Sequence, residues 1–314
     1  NSVSAIDLMR QRRGYILLTV LLLLMLASVV MASFCRIAIA RSLEASAAND
    51  ELQRRWGTLS CRDALLPRAE NLLEEQESTA LPVEHLHTDF NLGREQFSVD
   101  ICDEQAKVNV NALYALQGKD RAERSILNLV RASGGDLKPR LRLTADKDLK
   151  PKSAPPTDAL NPDEAADTAP PPQISPIFGS WSEVFPDATT ADLFPSQPGN
   201  VTTNLTCWGN GSLNLRRASI ASITAMCSPT LSPQQIAQLL VLRGRLGDSA
   251  SVDQLLAEAH IGTTESFAVS QKLTLASATQ SLWIVSRDHS ETQRRLFVRD
   301  ASNSDDIRSF SAQW

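Results

Sequence analysis

From Gly14 to Cys35 the chain carries no charged residue. That run of roughly 22 residues meets the 20 or so needed to cross the hydrocarbon of a bilayer as a helix. Arg10-Gln11-Arg12-Arg13 stands before it, and Arg36 and Arg41 follow it. Cations concentrated on the N-terminal side favour keeping that end in the cytoplasm. The expectation is a single-pass membrane protein whose remaining residues lie in an extracytoplasmic aqueous compartment.

A cleaved secretory signal fits poorly. Its apolar region should span about 7–15 residues and end in an Ala-x-Ala-like site. Here the run is longer, and Met31-Ala32-Ser33 is a weak match. An uncleaved signal anchor is one remaining reading. The other rests on the junction Arg12-Arg13-Gly14-Tyr15-Ile16-Leu17-Leu18. A basic leader ending in Gly, followed by an aromatic and an aliphatic run, resembles the class III, type IV pilin-like signal. The resemblance implies that a prepilin peptidase cuts after Gly14 and methylates Tyr15 as the first mature residue. Most such proteins carry Glu at the fifth mature position, where Thr19 stands here.

Beyond the membrane, Ser42 to Leu73 keeps helical character. Leu43, Ala47, Leu52, Trp56, Leu59, Leu65, Leu66, Leu72 and Leu73 form a broken apolar stripe, with Gly57 and Pro67 expected to interrupt it. Glu95 to Cys102 alternates Phe97, Val99 and Ile101 with polar residues and reads as a half-buried strand. Gln280 to Val285 and Arg294 to Val298 are two further strands, joined by a turn at Asp288-His289-Ser290-Glu291, and Leu273 to Leu275 is expected to begin the same sheet. Between these strands lie helical segments: Ala122 to Ala132, Gln234 to Arg243 and Ser251 to Ala259. Ser232-Pro233 offers a cap and first-turn proline for the second, and Ser251 an N-cap for the third. Residues 146–172 are rich in Pro, Ala, Asp and Thr and are expected to form an extended or disordered loop.

Five cysteines are far apart in the chain, with no zinc-like spacing. Cys207–Cys227 and Cys61–Cys102 are the pairings an oxidising compartment would allow, which spacing alone does not establish.

Two segments echo one another. Asp103-Glu-Gln-Ala-Lys107-Val-Asn109-Val-Asn111-Ala-Leu113 and Gly211-Ser-Leu-Asn214-Leu-Arg-Arg-Ala218-Ser219 each place Asn between aliphatic residues. The aliphatic side chains are expected on one face of a short extended stretch, with Asn capping the turn that follows. These motifs, their order, the junction at Gly14 and the non-Glu Thr19 resemble the minor pseudopilin K family (GspK) of type II secretion. The matching residues are Asp103, Lys107, Asn109 and Asn111, then Asn214 and Ala218, then a helical pair carrying Arg243. Arg216 stands where the family's second motif has its second Asn, and the Pro-rich insertion is a further departure.

The resemblance implies an α+β fold: a long N-terminal transmembrane, pilin-like helix packed on a small antiparallel sheet, with a large inserted, mainly helical domain like a SAM or helix-hairpin-helix module. The implied division is a leader at 1–14, a transmembrane helix at 15–35 and its soluble continuation at 36–75. The sheet would be drawn from 76–105 and 272–314, and the insertion from 106–271. It also implies a non-enzymatic tip subunit of a periplasmic pseudopilus, anchored in the inner membrane. Its partners would be the I and J minor pseudopilins, the major pseudopilin and the prepilin peptidase. No cofactor is implied, although some pseudopilins bind calcium through loop carboxylates. Asp103 and Glu104, or Asp305 and Asp306, are the residues such a site would use. A solvated acidic turn is the simpler reading, because calcium takes six to eight converging oxygens.

Three other functions were weighed against this one. A helix-hairpin-helix DNA receptor needs a Gly-containing hairpin, and Thr224 to Thr230 has no Gly. The net charge of −5 also gives no phosphate-binding footprint. A hydrolase lacks a Gly-x-Ser-x-Gly elbow. His85 and His87 flank Leu86 and could share a metal from a strand, but no carboxylate stands convincingly beside them; His260 and His289 read as surface or helix-end residues. A pilin-like minor subunit of another filament system would share the same leader.

Overall fold

The computed structural model describes residues 3–79, 85–93, 95–142, 177–197, 199–244, 251–287, 292–301 and 306–311. A long helix α1 (Val3–Leu65) is followed by a 3-10 turn (Leu66–Arg68) and α2 (Ala69–Thr79). Strands β1 (His85–Leu92), β2 (Glu95–Asp103) and β3 (Val108–Asn109) come next. Helices α3 (Val110–Gln117), α4 (Lys119–Ala132) and α5 (Thr190–Leu193) then precede β4 (Leu205–Thr206) and β5 (Leu213–Asn214). Four helices follow: α6 (Ile220–Cys227), α7 (Pro233–Arg243), α8 (Val252–Glu258) and α9 (Thr263–Ser270). The chain closes with β6 (Leu273–Thr274), β7 (Thr279–Arg287), β8 (Thr292–Asp300) and β9 (Asp306–Ser311). The result is an α+β fold. It divides into two units, Asn1–Gly57 and Thr58–Trp314.

The first unit is helical. Its apolar side chains from Tyr15 to Ile39 are largely uncovered, with Leu17 70% and Phe34 65% exposed. A run of this length and composition suits a membrane crossing, and hydrocarbon around it removes the cost of that exposure. Three of its hydroxyls bond back within the helix: Thr19 donates to Ile16 O at 2.8 Å, Ser28 to Met25 O at 2.8 Å and Ser33 to Val29 O at 2.9 Å. Each would otherwise be an unpaired donor in an apolar medium. The expected break at Gly57 does not occur, and α1 continues to Leu65. A single Gly costs a helix only about 1 kcal/mol relative to Ala. Pro67 does interrupt, since it lies within the 3-10 turn before α2.

In the second unit five strands form an antiparallel sheet in the order β1-β2-β7-β8-β9. Alternation gives its central strands two apolar faces. Phe97, Val99, Ile101, Leu282, Ile284 and Phe297 pack on one side with Cys61, Leu66, Ala69 and Leu73 of the helical segments. Cys102, Trp283, Val285, Leu296 and Val298 turn to the other side and join the core built by α3 to α9 and the loops around Phe178, Trp181 and Phe185. The central strands are therefore covered on both faces. This explains why β7 is buried from Thr279 to Ser286 without a polar-facing side.

The strands expected near Glu95, Gln280 and Arg294 are present as β2, β7 and β8. The turn expected between the last two, and residues 146–172, lie outside the described residues. Leu273 does not start the sheet: β6 pairs in parallel with β5 instead. Helices expected at Ala122, Gln234 and Ser251 are α4, α7 and α8. Ser232 and Ser251 each form a capping box, with Gln235 and Gln254 respectively, and Pro233 occupies the first turn. Gly118, at φ 72°, ends α3 and opens α4, a conformation that disfavours a β-carbon.

All five cysteines are free thiols, so neither disulfide pairing occurs. Period-two alternation explains one of them: Cys61 lies in the core on the helix side of the sheet, whereas Cys102 points to the opposite face. Burial pushes the Cys61 thiol up to about 11 and the Cys102 thiol up to about 12, so neither ionises readily.

Phe97 is wholly buried at the helix–sheet contact. Replacing it with Ala should lower stability by about 3–5 kcal/mol. Denaturant unfolding of the detergent-solubilised chain, followed by Trp fluorescence, measures the change.

Candidate functional site

The membrane-proximal feature is the Gly14–Tyr15 junction, which lies within α1. One turn further, the Thr19 hydroxyl donates to Ile16 O and also lies 3.1 Å from Tyr15 O. A hydroxyl bonded back to its own helix carries no charge to offer a neighbouring chain.

The second feature is a buried polar hub at the end of β2. Asp103, fully buried, caps the 3-10 turn Glu104–Ala106 by accepting from Gln105 N at 2.8 Å and Ala106 N at 3.2 Å through Oδ1. Its Oδ2 accepts from Ser277 Oγ at 2.5 Å, Asn214 Nδ2 at 3.0 Å and Arg217 Nη1 at 3.2 Å. Five donors saturate the lone pairs of one carboxylate. Arg217, 2% exposed, also donates to Glu70 Oε2 at 2.9 Å and to Glu77. Gln280 Nε2 reaches the same Glu70 oxygen at 3.0 Å. One guanidinium thus ties α2 to the end of β2 and to the turn after β5. Burial raises the Glu70 pKa, with Arg217 working against it. Burial would depress Arg217, but Glu77, Glu70 and Asp103 hold it above the ordinary arginine value.

Glu104 and Lys107 form a neighbouring buried pair at 2.7 Å. Glu104 Oε1 also accepts from Ser281 Oγ, to which Trp283 Nε1 donates in turn. Burial pushes Lys107 down, yet Cys102, Glu104 and Asp103 together keep its pKa raised. Asp103 and Glu104 are therefore not the solvated acidic turn that the sequence suggested. Both are enclosed, and Asp103 has no lone pair left for a cation. Asp305 lies outside the described residues. Among the described residues no three His, Cys, Asp or Glu side chains are placed to hold a metal ion.

The two Asn motifs have matching local structure. Val108-Asn109 pairs in parallel with Leu205-Thr206, and Leu213-Asn214 with Leu273-Thr274. In each, the Asn side chain turns the chain just after the strand. Asn109 Oδ1 accepts from Asn111 N at 2.8 Å, and Asn214 Oδ1 accepts from Arg216 N at 3.0 Å. Asn109 also donates to Trp208 O at 2.8 Å. Asn111 is saturated: it accepts from Ile177 N and Phe178 N and donates to Phe178 O and Cys207 O. Ala218 N donates to Asn214 O at 2.9 Å, and Ala218 O accepts from Arg243. Asp103, Asn214, Ala218 and Arg243 are thus linked in sequence, Lys107 joins the turn at Asp103 through Glu104, and Asn109 and Asn111 form a separate linked pair, all seven within one unit. Gly14 and Thr19 belong to the other unit. Sequence reasoning missed Arg217, Glu70 and Glu77. Glu70 and Glu77 are seven residues apart on one face of α2, which was the available signal.

His87 and His85 lie on β1. His87 Nδ1 is 2.6 Å from Asp100 Oδ1 on β2, and Nε2 is 3.5 Å from Asp89 Oδ2. The carboxylate that sequence reading did not find beside the histidines therefore comes from across the strand pair.

No protein-family model matches the chain, and no curated protein matches it. Among solved structures it is similar to a chain in the crystal structure of the GspK-GspI-GspJ complex from the enterotoxigenic Escherichia coli type 2 secretion system. The two are 12% identical with a TM-score of 0.41, over 86% of this chain and 98% of that one.

Truncating Arg217 to Ala leaves buried carboxylates without their shared donor and should cost about 3–5 kcal/mol. Arg217→Lys should recover only part, because an ammonium lacks the planar fork that spans several acceptors. Both are read by denaturant unfolding. Glu70 has a raised folded-state pKa, so it adds stability at acidic pH that is lost as pH rises from the ordinary carboxylate range through the folded value. Glu70→Gln should flatten that part of the stability–pH curve.

Proposed function

We propose that this chain is a non-enzymatic minor pseudopilin at the tip of a type II secretion pseudopilus, where it helps prime assembly and so supports protein export across the outer membrane. The observation that carries this reading is the junction itself. Three arginines and Gly14 precede the stretch of α1 that is uncharged to Cys35, and the helix continues to Leu65. Cleavage after Gly14 by a prepilin peptidase leaves Tyr15 as a methylated N-terminus. Arginines before the apolar run favour a leader on the cytoplasmic side of the inner membrane, and in this reading the chain after Cys35 is periplasmic.

Thr19 supports the tip position. A repeating subunit uses a carboxylate at this point to meet a neighbour's N-terminal amine, and a helix-bonded hydroxyl supplies no such charge. The structure of residues 58–314 supports it as well. The helical segments cover one face of the sheet while α3 to α9 cover the other, and bulk of that kind is tolerated most easily at the end of a filament. I- and J-type minor pseudopilins and the major pseudopilin are the partners this reading requires. They would pack on the apolar surface of α1 that remains uncovered in the single chain. The paired Asn motifs and the inserted helices favour this reading over that of a minor subunit of another pilus system.

N-terminal sequencing of the protein purified from membranes should return Tyr15. A start at Asn1, or at residue 34 or later, would overturn the pilin-like reading. Gly14→Leu should leave an unprocessed, membrane-held chain that fails to co-purify with the I and J partners and does not support secretion.

A further inference from the structure

Among the described residues β1 is an edge strand of the sheet, and it is fastened by a charged contact. Asp100 on β2 is fully buried, and its Oδ2 has no hydrogen-bond partner. Its Oδ1 meets His87 Nδ1 at 2.6 Å. The other His87 nitrogen faces Asp89 Oδ2 at 3.5 Å. A neutral imidazole donates from one nitrogen only and presents a lone pair at the other. With a carboxylate on each side, the form that suits both positions is the imidazolium. Other charged groups nearby are His85 on β1, Lys107 beyond the end of β2, whose charge acts on His85, and Arg287 at the end of β7, whose charge acts on Asp89.

We propose that His87 is a proton-operated clasp, which holds the edge strand β1 against β2 when protonated and loosens it when neutral. In the protonated state the cation compensates the buried Asp100 charge and attracts Asp89. Loss of the proton leaves Asp100 buried without a counter-charge and turns a lone pair toward Asp89. The apolar side of the strand makes the consequence local: Leu86 and Phe90 are only partly buried against the helix-side core, so the ladder to β2 and the stacking of Phe90 on Phe97 at 5.7 Å are what the clasp reinforces. An edge of eight residues then alternates between a fixed strand and one able to open or re-pair.

The sign follows from the environment of His87. The hydrogen bond to Asp100 raises its pKa above 6.5, with partial burial opposing. A raised histidine contributes stability that is fully present below the ordinary value and is lost as pH rises through the folded value. His85 is depressed mainly by burial, so its contribution to stability has the opposite sign and is lost as pH falls.

Hydrogen exchange of the full chain in detergent, corrected for intrinsic rate and measured between about pH 5.5 and about pH 8.5, tests the clasp across the histidine range. Peptides covering β1 should be protected about tenfold more at the acidic end, the size of one charge-assisted hydrogen bond. Peptides from α4 should show no such step. His87→Gln and Asp100→Asn should each abolish the β1 step while leaving α4 protection intact. The proposal is overturned if β1 protection is flat with pH in the native chain, if the step survives in His87→Gln, or if every peptide shows it. Should both variants lose α4 protection, imidazole NMR of the native chain decides. A His87 midpoint above that of exposed His260 supports the clasp, and one at or below it overturns the clasp.

Discussion

Arg217 is the interaction on which the arrangement of residues 58–314 depends. Three carboxylates from two separate elements, Glu70 and Glu77 on α2 and Asp103 at the end of β2, converge on a guanidinium that is almost wholly buried. The charges do not cancel within the group. The surplus is spread over neutral donors, Asn214, Ser277 and Gln280, and over the backbone amides that Asp103 caps. An arrangement of this kind adds little net stability over apolar packing, because desolvation offsets much of the attraction. It contributes specificity: a slip of α2 along the sheet by one residue would strand at least one buried carboxylate.

The hub also explains how two cores share one sheet. β2, β7 and β8 send alternate side chains to opposite faces, and the hub lies where β2 leaves the sheet. Asp103 follows directly on Ile101, which packs toward the helices, and Cys102, which packs toward the inserted segment. Fixing that one point sets the register for both faces at once. The inserted segment is accordingly not an appendage with a core of its own. Trp283 and Val285 of the sheet lie in the same cluster as Leu239, Leu256 and Val269 of its helices.

How much of this was legible in the sequence depended on the range of the interaction. Period-two runs such as Phe97-Val99-Ile101 and local caps such as Ser232-Pro233-Gln-Gln235 are complete within a few residues, and they predict β2 and α7 closely. The Asn echoes were also readable, because the capping bond from Asn109 to Asn111 N spans two residues. What was missed depends on distant partners. Asp103 and Glu104 look like a surface turn until Arg217, Ser277 and Ser281, more than a hundred residues away, enclose them. β1 was legible only at His85 to His87, for a related reason: its sequence, His-Leu-His-Thr-Asp-Phe-Asn-Leu, has few strongly apolar positions, and pairing with β2 supplies what its own pattern lacks. Pairing of Leu213 with Leu273 likewise removes β6 from the main sheet, a choice that a two-residue strand cannot advertise.

Asn111 shows how segments distant in the sequence are tied into one core. Its side chain makes four hydrogen bonds, three of them to Ile177 and Phe178 and one to Cys207. Ile177 and Phe178 stand where the described chain resumes after Arg142, and the next buried residues, Trp181, Val184 and Phe185, complete the packing around α4 and β4. A short, saturated anchor thus joins positions 66 and 67 residues apart in the sequence. The anchor works because all four bonds are made to backbone groups, which tolerate changes of side chain in the segments they hold. The second motif has no such demand. There Arg216 replaces the equivalent of Asn111, the turn needs only the cap from Asn214, and the next residue, Arg217, is free to reach into the hub. Two similar short motifs are thus used for different ends: one fastens the return of the inserted segment, and the other delivers the guanidinium that fixes the helix to the sheet.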